Sequence, residues 1–296
     1  MAQGSTSDRL DPAGLAAATL CCLLWGGNAV AVKYAISPEA LPPVGAAGLR
    51  FLISLPVVAY VCSRVGVSWR VDRRYWWLLG INGLLTAVQI GSFNWGTSHS
   101  TAGRSSVFIN IHPLVVAPLA WLLLGERLGP RGILGLLAAA GGVLVMLARP
   151  LWLGGGLAGD LVVLVSGLIF GFQAIVQKKT FPYVQPTTLL LAQSALAVPL
   201  SLAYSLTFEG VASYHFPIEA IGGLVFQGLC VSGIAFATWM ILLRRYPASR
   251  LAAVAFLTPL FGIALGTWLN GEAFTWPLGM GSALVGLGIY LVASEK

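Results

Sequence analysis

Long apolar runs recur along the chain, each closed by a polar, Pro or Gly break, at roughly 13–34, 41–63, 75–97, 101–123, 130–148, 157–178, 186–206, 218–243, 249–270 and 275–293. About 20 mostly apolar residues let a helix cross the hydrocarbon layer, where each backbone polar group must bond within its own segment. Ten such runs predict an all-α membrane protein with ten transmembrane helices. Asp11-Pro12 reads as an N-cap and first helical position, so the first span begins where a short polar tail ends, with no cleavable leader expected before it.

Charge placement turns the list of spans into a topology. Arg64, Arg70, Arg73, Arg74, Arg127, Arg131, Lys178, Lys179, Arg244, Arg245 and Arg250 fall in alternate loops, with Arg9 and Lys296 in the tails. The opposite loops offer only Lys33, Arg104 and Arg149 near their edges. The positive-inside rule then predicts a multi-pass protein of the cell inner membrane with both termini cytoplasmic.

Composition agrees. Hydrophobic residues make up 57% and charged residues 9%, against roughly 25% charged in a soluble domain, so the lipid bilayer is the expected partner of most of the surface. The formal charge of +7 would raise nucleic acid in a soluble protein, but here the basic residues punctuate apolar spans and no nucleic-acid partner is expected. Cys21, Cys22, Cys62 and Cys230 lie inside apolar runs with no metal-type spacing. Neither a disulfide framework, a metal nor a cofactor is expected.

The chain also repeats itself. Residues 104–146 laid over 250–292 match Arg104 to Arg250, Pro113 to Pro259, Gly125-Glu126 to Gly271-Glu272, Gly135 to Gly281 and Gly142 to Gly288. A slip of one residue aligns Trp25-Gly26 with Phe170-Gly171, Asn28 with Gln173 and Lys33 with Lys178. The predicted organisation is a tail over 1–12, a five-helix repeat over 13–148 and a second over 149–296. Five is odd, so the second copy enters from the opposite side, giving two inverted repeats. Such halves can rock against each other and expose a central site to each face in turn. Duplication for bundle stability alone is the competing reading.

Several short motifs now fall into order: Leu24-Trp25-Gly26-Gly27-Asn28 in the first span, Arg50 in the second, and Gly125 to Leu128 (Gly-Glu-Arg-Leu) ending the fourth. His112-Pro113 and Thr258-Pro259 occupy the fourth and ninth spans, and Gly233-Ile-Ala-Phe236-Ala-Thr-Trp239 the eighth. With the duplication, this set resembles the EamA-type drug/metabolite transporter family over nearly the whole chain; the eighth and ninth spans resemble its YddG-type exporters of aromatic and other amino acids. The resemblance implies a ten-helix fold with a central cavity and export of small metabolites without ATP. The second copy reads Glu272-Ala273 in place of the Glu-Arg pair, so a shared role for that pair does not carry over.

Polar groups inside spans are the candidates for a substrate site. Asn82, Thr86 and Gln89 lie on one stripe that Phe93 extends, and Ser106, Asn110 and Pro113 repeat the spacing beside His112. Asn28 and Gln173 sit by Trp25 and Phe170, and the eighth span adds Gln227 and Trp239. These could line a cavity whose aromatic faces take an apolar side chain while amides hold an amino-acid head group. They could equally be helix–helix glue. His112 could relay a proton or simply bond a carbonyl freed by the kink. Pro113 and Pro259 read as hinges or as fixed kinks. Arg50, an intramembrane charge, reads first as a tie to buried carbonyls and second as a contact for a substrate carboxylate. Gly135 with Ala139 and Ser282 with Gly286 form small-residue faces expected to pack within one chain, so a monomer is preferred over a dimer.

The functional expectation is a secondary transporter exporting aromatic or apolar amino acids and related metabolites by alternating access. Efflux of cationic drugs is the alternative, disfavoured because no Asp or Glu sits mid-span. A passive channel or an intramembrane enzyme is the reading of another class. Ser98 and His99, as sequence neighbours, are expected to diverge on a helix, and no Gly-x-Ser-x-Gly elbow occurs, so no catalytic residue is assigned.

Overall fold

The structure, a computed structural model, describes residues 11–36, 39–65, 71–124, 129–153, 156–210, 214–246, 254–255 and 257–293. The helices among them are α1 (Pro12–Ala35), α2 (Pro43–Val65), α3 (Trp76–Ser98), α4 (Ala102–Ile109), α5 (Pro113–Leu124), α6 (Pro130–Leu153), α7 (Leu157–Thr180), α8 (Pro186–Tyr204), α9 (Ile218–Val225), α10 (Phe236–Arg245), α11 (Leu257–Asn270) and α12 (Trp276–Ala293). A 3-10 turn, Arg73–Tyr75, leads into α3. Two π-helical stretches complete the set: Ser205–Glu209 prolongs α8, and Phe226–Ala235 joins α9 to α10. Among the described residues five helical stretches are long and apolar enough to cross a membrane: Pro12–Ala35, Pro43–Arg64, Leu157–Thr180, Pro186–Glu209 and Ile218–Leu242. Leu122, Leu137 and Leu144 are each more than three-fifths exposed, and Trp76, Trp77, Trp268 and Trp276 stand exposed near helix ends. That is a lipid-facing surface with interfacial aromatic anchors.

Local chemistry sets the helix starts. Asp11 is the N-cap of α1, its carboxylate accepting the Gly14 N–H at 2.6 Å, with Pro12 in the first turn. The run 101–123, expected to be one span, is two helices. Pro113 offers no N–H to continue the α4 ladder, and the intervening turn closes on three-residue bonds, Asn110 N–H to Val107 C=O at 3.0 Å and Ile111 N–H to Phe108 C=O at 3.3 Å. The Asn110 amide donates back to the Ser106 carbonyl at 2.7 Å. The run 130–148 extends to Leu153.

Close packing occurs where side chains are smallest. A Cβ on Gly142 would lie 2.5 Å from the Gly281 carbonyl oxygen, and one on Gly288 2.4 Å from that of Gly135. These contacts join α6 to α12, its principal partner, and place the Gly135–Ala139 face inside the chain's own packing. A Cβ on Gly26 of α1 would meet Phe261 Cβ at 2.6 Å and the Thr258 oxygen at 3.0 Å; one on Gly171 of α7 would meet the His112 oxygen at 2.6 Å and Val115 Cβ at 2.8 Å. The Cys22 thiol donates to the Val254 carbonyl at 3.4 Å, while Gly167 abuts the Phe108 carbonyl. An apolar core draws on α1, α2, α3, α4, α6, α7, α9, α11 and α12 and includes Phe93, Phe108 and Ile111.

The end of α1, the start of α2, the end of α3 and the start of α4 share one face, called here the distal face because α1 begins at the other. Contacts bring the second half to it. The Tyr34 hydroxyl donates to the Leu269 carbonyl at 3.1 Å, and Glu209 accepts the Val44 and Gly45 N–H groups at 3.0 Å each.

Candidate substrate pathway

The α1 and α10 helices build an aromatic corner. Trp25 meets Trp239 edge-on at 4.7 Å between ring centroids and Phe236 at 5.9 Å. One turn along α1 lies Asn28, and a further turn on, Gln227 of the π-helical stretch donates to the Ala31 carbonyl at 3.3 Å. The Trp25 indole N–H, the Asn28 Oδ1 and the Gln227 Oε1 are buried without a hydrogen-bond partner. Buried polar atoms are nearly always partnered, so the Trp25 indole N–H and the Asn28 Oδ1 beside these edge-on and tilted rings, with the Gln227 Oε1 further along α1, are groups with hydrogen-bonding capacity to spare. The wide turn that presents Gln227 is of a kind found often at functional sites.

His112 sits in the break between α4 and α5. Its ring meets Phe170 edge-on at 4.9 Å, and its Nδ1 is buried without a well-formed hydrogen bond. Side-chain placement at Pro113 lies outside the described set, whereas Pro259 is buried near the start of α11.

The polar stripe on α3 does lie on one face, and that face is turned to α7. Gln89 Nε2 donates to Ser166 Oγ at 3.0 Å while Ser166 Oγ donates back to the Gln89 carbonyl at 2.7 Å. Gln173 Nε2 donates to Thr86 Oγ1 at 2.7 Å, and Asn82 Nδ2 to the Leu78 carbonyl at 2.8 Å and Thr180 Oγ1 at 3.4 Å. Phe93 belongs to the apolar core. The predicted residues thus gather as an α1–α10 corner, a His112–Phe170 contact and an α3–α7 seam, with Asn110 bonded within its own turn.

Arg50 is wholly buried. Its Nε donates to Ser232 Oγ at 2.8 Å, its guanidinium lies 5.7 Å over the Phe51 ring, and its Nη1 has no partner. The expectation for Ser98 and His99 is corrected: Ser98 Oγ and His99 Nδ1 lie 2.8 Å apart. His99 is the C-cap, no longer helical, so its ring turns back over Trp95, and both side chains also reach the Trp95 carbonyl.

Two acids emerge that the spacing did not single out, Asp160 and Glu209, and a third, Glu272, was marked only by the repeat. Asp160 is fully buried and binds Arg104 and the Ser100 hydroxyl. Glu209 caps α2, and Glu272 accepts the Ala102 and Gly103 N–H groups at the start of α4. Pairing of an acid with a helix start in the other half has no local sequence signal; the matched Gly-Glu of the repeat was the available hint. Gly125 to Leu128 lie outside the described residues. Among the described residues no group of three or more His, Cys, Asp or Glu could hold a metal.

Helices with a lipid-facing apolar surface, packed around buried polar and aromatic groups, mark an integral membrane protein. The chain belongs to the EamA-like transporter family, whose pattern matches it twice, over residues 12–148 and 157–294. Among its relatives are an uncharacterized transporter of Archaeoglobus fulgidus, 28% identical with 94% of this chain and 97% of that one covered, and a probable amino-acid metabolite efflux pump of Escherichia coli, 25% identical with 93% and 92% covered. An uncharacterized transporter of Bacillus subtilis is 24% identical over 91% and 92%. A protein of known crystal structure shares the fold, with a TM-score of 0.70 at 22% identity, covering 94% of this chain and 96% of that one.

Proposed function

We propose that this chain is a secondary transporter of the inner membrane, with ten crossings, cytoplasmic termini and two inverted five-helix repeats, exporting aromatic or apolar amino acids by alternating access. The observation that carries the reading is that contacts between the halves recur with the halves exchanged. Adding 146 to Gly142 and subtracting 146 from Gly281 turns that contact into Gly288 on Gly135. Adding 145 to Gly26 and subtracting 146 from Thr258 and Phe261 gives Gly171 on His112 and Val115; the same shifts turn Cys22 on Val254 into Gly167 on Phe108. In the first pair the residue numbers rise along one helix as they fall along the other, so the helices are antiparallel and the exchange axis lies across them, in the membrane plane. Inverted halves of this kind can swap roles between two faces.

The substrate reading rests on the Trp25–Phe236–Trp239 corner with its unused indole N–H and amide oxygens, on the absence of a mid-span acid for a cation, and on the efflux-pump name of the Escherichia coli relative. Asn28, Gln227, Trp239, His112 and Phe170 line the path, and Asn82, Gln89, Asn110, Gln173 and Phe93 shape it; Pro113 and Pro259 supply bending points. The test is flux of a panel of amino acids into liposomes holding the purified protein, with and without a pH gradient. Saturable flux of aromatic or apolar members is expected, and its loss in Trp239→Ala. No saturable flux of any member sinks the reading.

A further inference from the structure

We propose that Glu272 is a latch holding the distal face shut, a device that rests on the alternating-access reading above. The carboxylate follows α11 in the second half, yet it straddles the start of α4 in the first. Oε1 accepts the Ala102 N–H at 2.5 Å and Oε2 the Gly103 N–H at 2.8 Å, across 170 and 169 residues of chain. The third N–H of that turn, from Arg104, goes to Thr101 Oγ1 at 3.2 Å. A carboxylate on the exposed donors of a helix start is favourable both as paired charge-assisted bonds and through the helix dipole.

The seat is built for it. A Cβ on Gly266 would stand 2.9 Å from Glu272 Oε2 and 3.2 Å from the Gly103 nitrogen, and one on Gly103 would stand 3.3 Å from the same oxygen. Glycines on both helices bring α11 against α4 until the carboxylate reaches. The latch is also reachable: a pocket of about 540 Å³ is lined by Glu272 with Lys33, Tyr34, Ser100, Thr101 and Asn270. Lys33, tied only to the Ser98 carbonyl at 3.5 Å among these contacts, is the cation toward which the carboxylate can swing when α4 withdraws. Two bonds of one solvent-reached side chain are a tie that a transport cycle can break and remake, unlike the glycine seam of α6 and α12.

The test places spin labels at His99→Cys and Phe274→Cys, exposed distal positions in opposite halves, in the full chain with its four native cysteines replaced by alanine, reconstituted in lipid. The parent should give one short, narrow distance distribution. Glu272→Gln keeps the size and removes one of the two acceptors, and should add a longer-distance population absent from the parent. Gly266→Ala displaces the carboxylate without removing its charge and should do the same; it decides the matter where Glu272→Gln does not fold. A parent-like distribution in folded variants overturns the latch. Flux in the parent separates the two claims: transport without a distance change removes the latch alone, and a distance change without transport removes the exporter reading alone.

Discussion

Arg50 shows how a single side chain can be judged. Its fork holds Ser232 in the π-helical stretch from inside α2, and a hydrogen bond to a charged group contributes about 1.5–3 kcal/mol. Arg50→Ala should therefore lower the melting temperature in detergent, and Arg50→Lys should fail to restore it because the ammonium lacks the Nε–H geometry. A raised KM with unchanged melting would instead make it a substrate contact. Asp11 answers to pH. The Gly14 N–H first, then the Tyr246 hydroxyl, with the Arg245 guanidinium 3.2 Å away adding least, hold its carboxyl below the ordinary value. A carboxyl lowered in the folded state stabilises above its unfolded pKa of about 3.9 and loses that contribution as pH falls through the folded value. The melting gap between parent and Asp11→Ala should be full at neutral pH and close in acid. The capping role of Asp11 was legible because a cap acts within four residues. The partners of Arg50 and Glu272 were not, since they lie 182 and 170 residues off.

Among the elements, glycines divide into those that seat a neighbour and those that do not. Gly142→Ala and Gly288→Ala put a Cβ into a backbone oxygen and should destabilise by roughly 1–3 kcal/mol. Gly80 and Gly222, with nothing within 4 Å, should gain from Ala up to about 1 kcal/mol of helix propensity. Thermal unfolding of the four variants in one detergent checks both signs. Pro113→Ala returns an N–H to the α4–α5 break; it is expected to slow the transport turnover several-fold with KM little changed, read in liposome flux. Apolar periodicity revealed most helices but not the π-helical turns at 205–209 and 226–235, which depend on a one-residue shift in bonding that no residue type encodes. The Pro113 break was foreseen as a bend, and its width, three residues of turn, follows from bonds that hydropathy does not report.

At the scale of the molecule, the exchanged contacts make opposite substitutions informative. Gly26→Ala presses α1 against α11 toward one face, and Gly171→Ala presses α7 against His112 toward the other. Each should bias the conformational equilibrium, in opposite directions, seen as opposite changes in reagent accessibility at the two faces. A shift in the same direction for both would count against inversion. The duplication was readable in the sequence because helix breakers and glycines kept their spacing. Which groups of one copy would meet which of the other was not, because only packing chooses between them.

The pairing of α6 with α12 bears on how the chain is made. The glycine face of α6, at Gly135 and Gly142, meets its partner only when Gly281 and Gly288, more than 130 residues later in the sequence, have left the ribosome. Until then a helix grooved for another backbone stands in lipid or against the insertion machinery. Chains stopped before residue 276 should therefore leave that groove without its partner backbone, a mark by which they can be told from chains that carry α12.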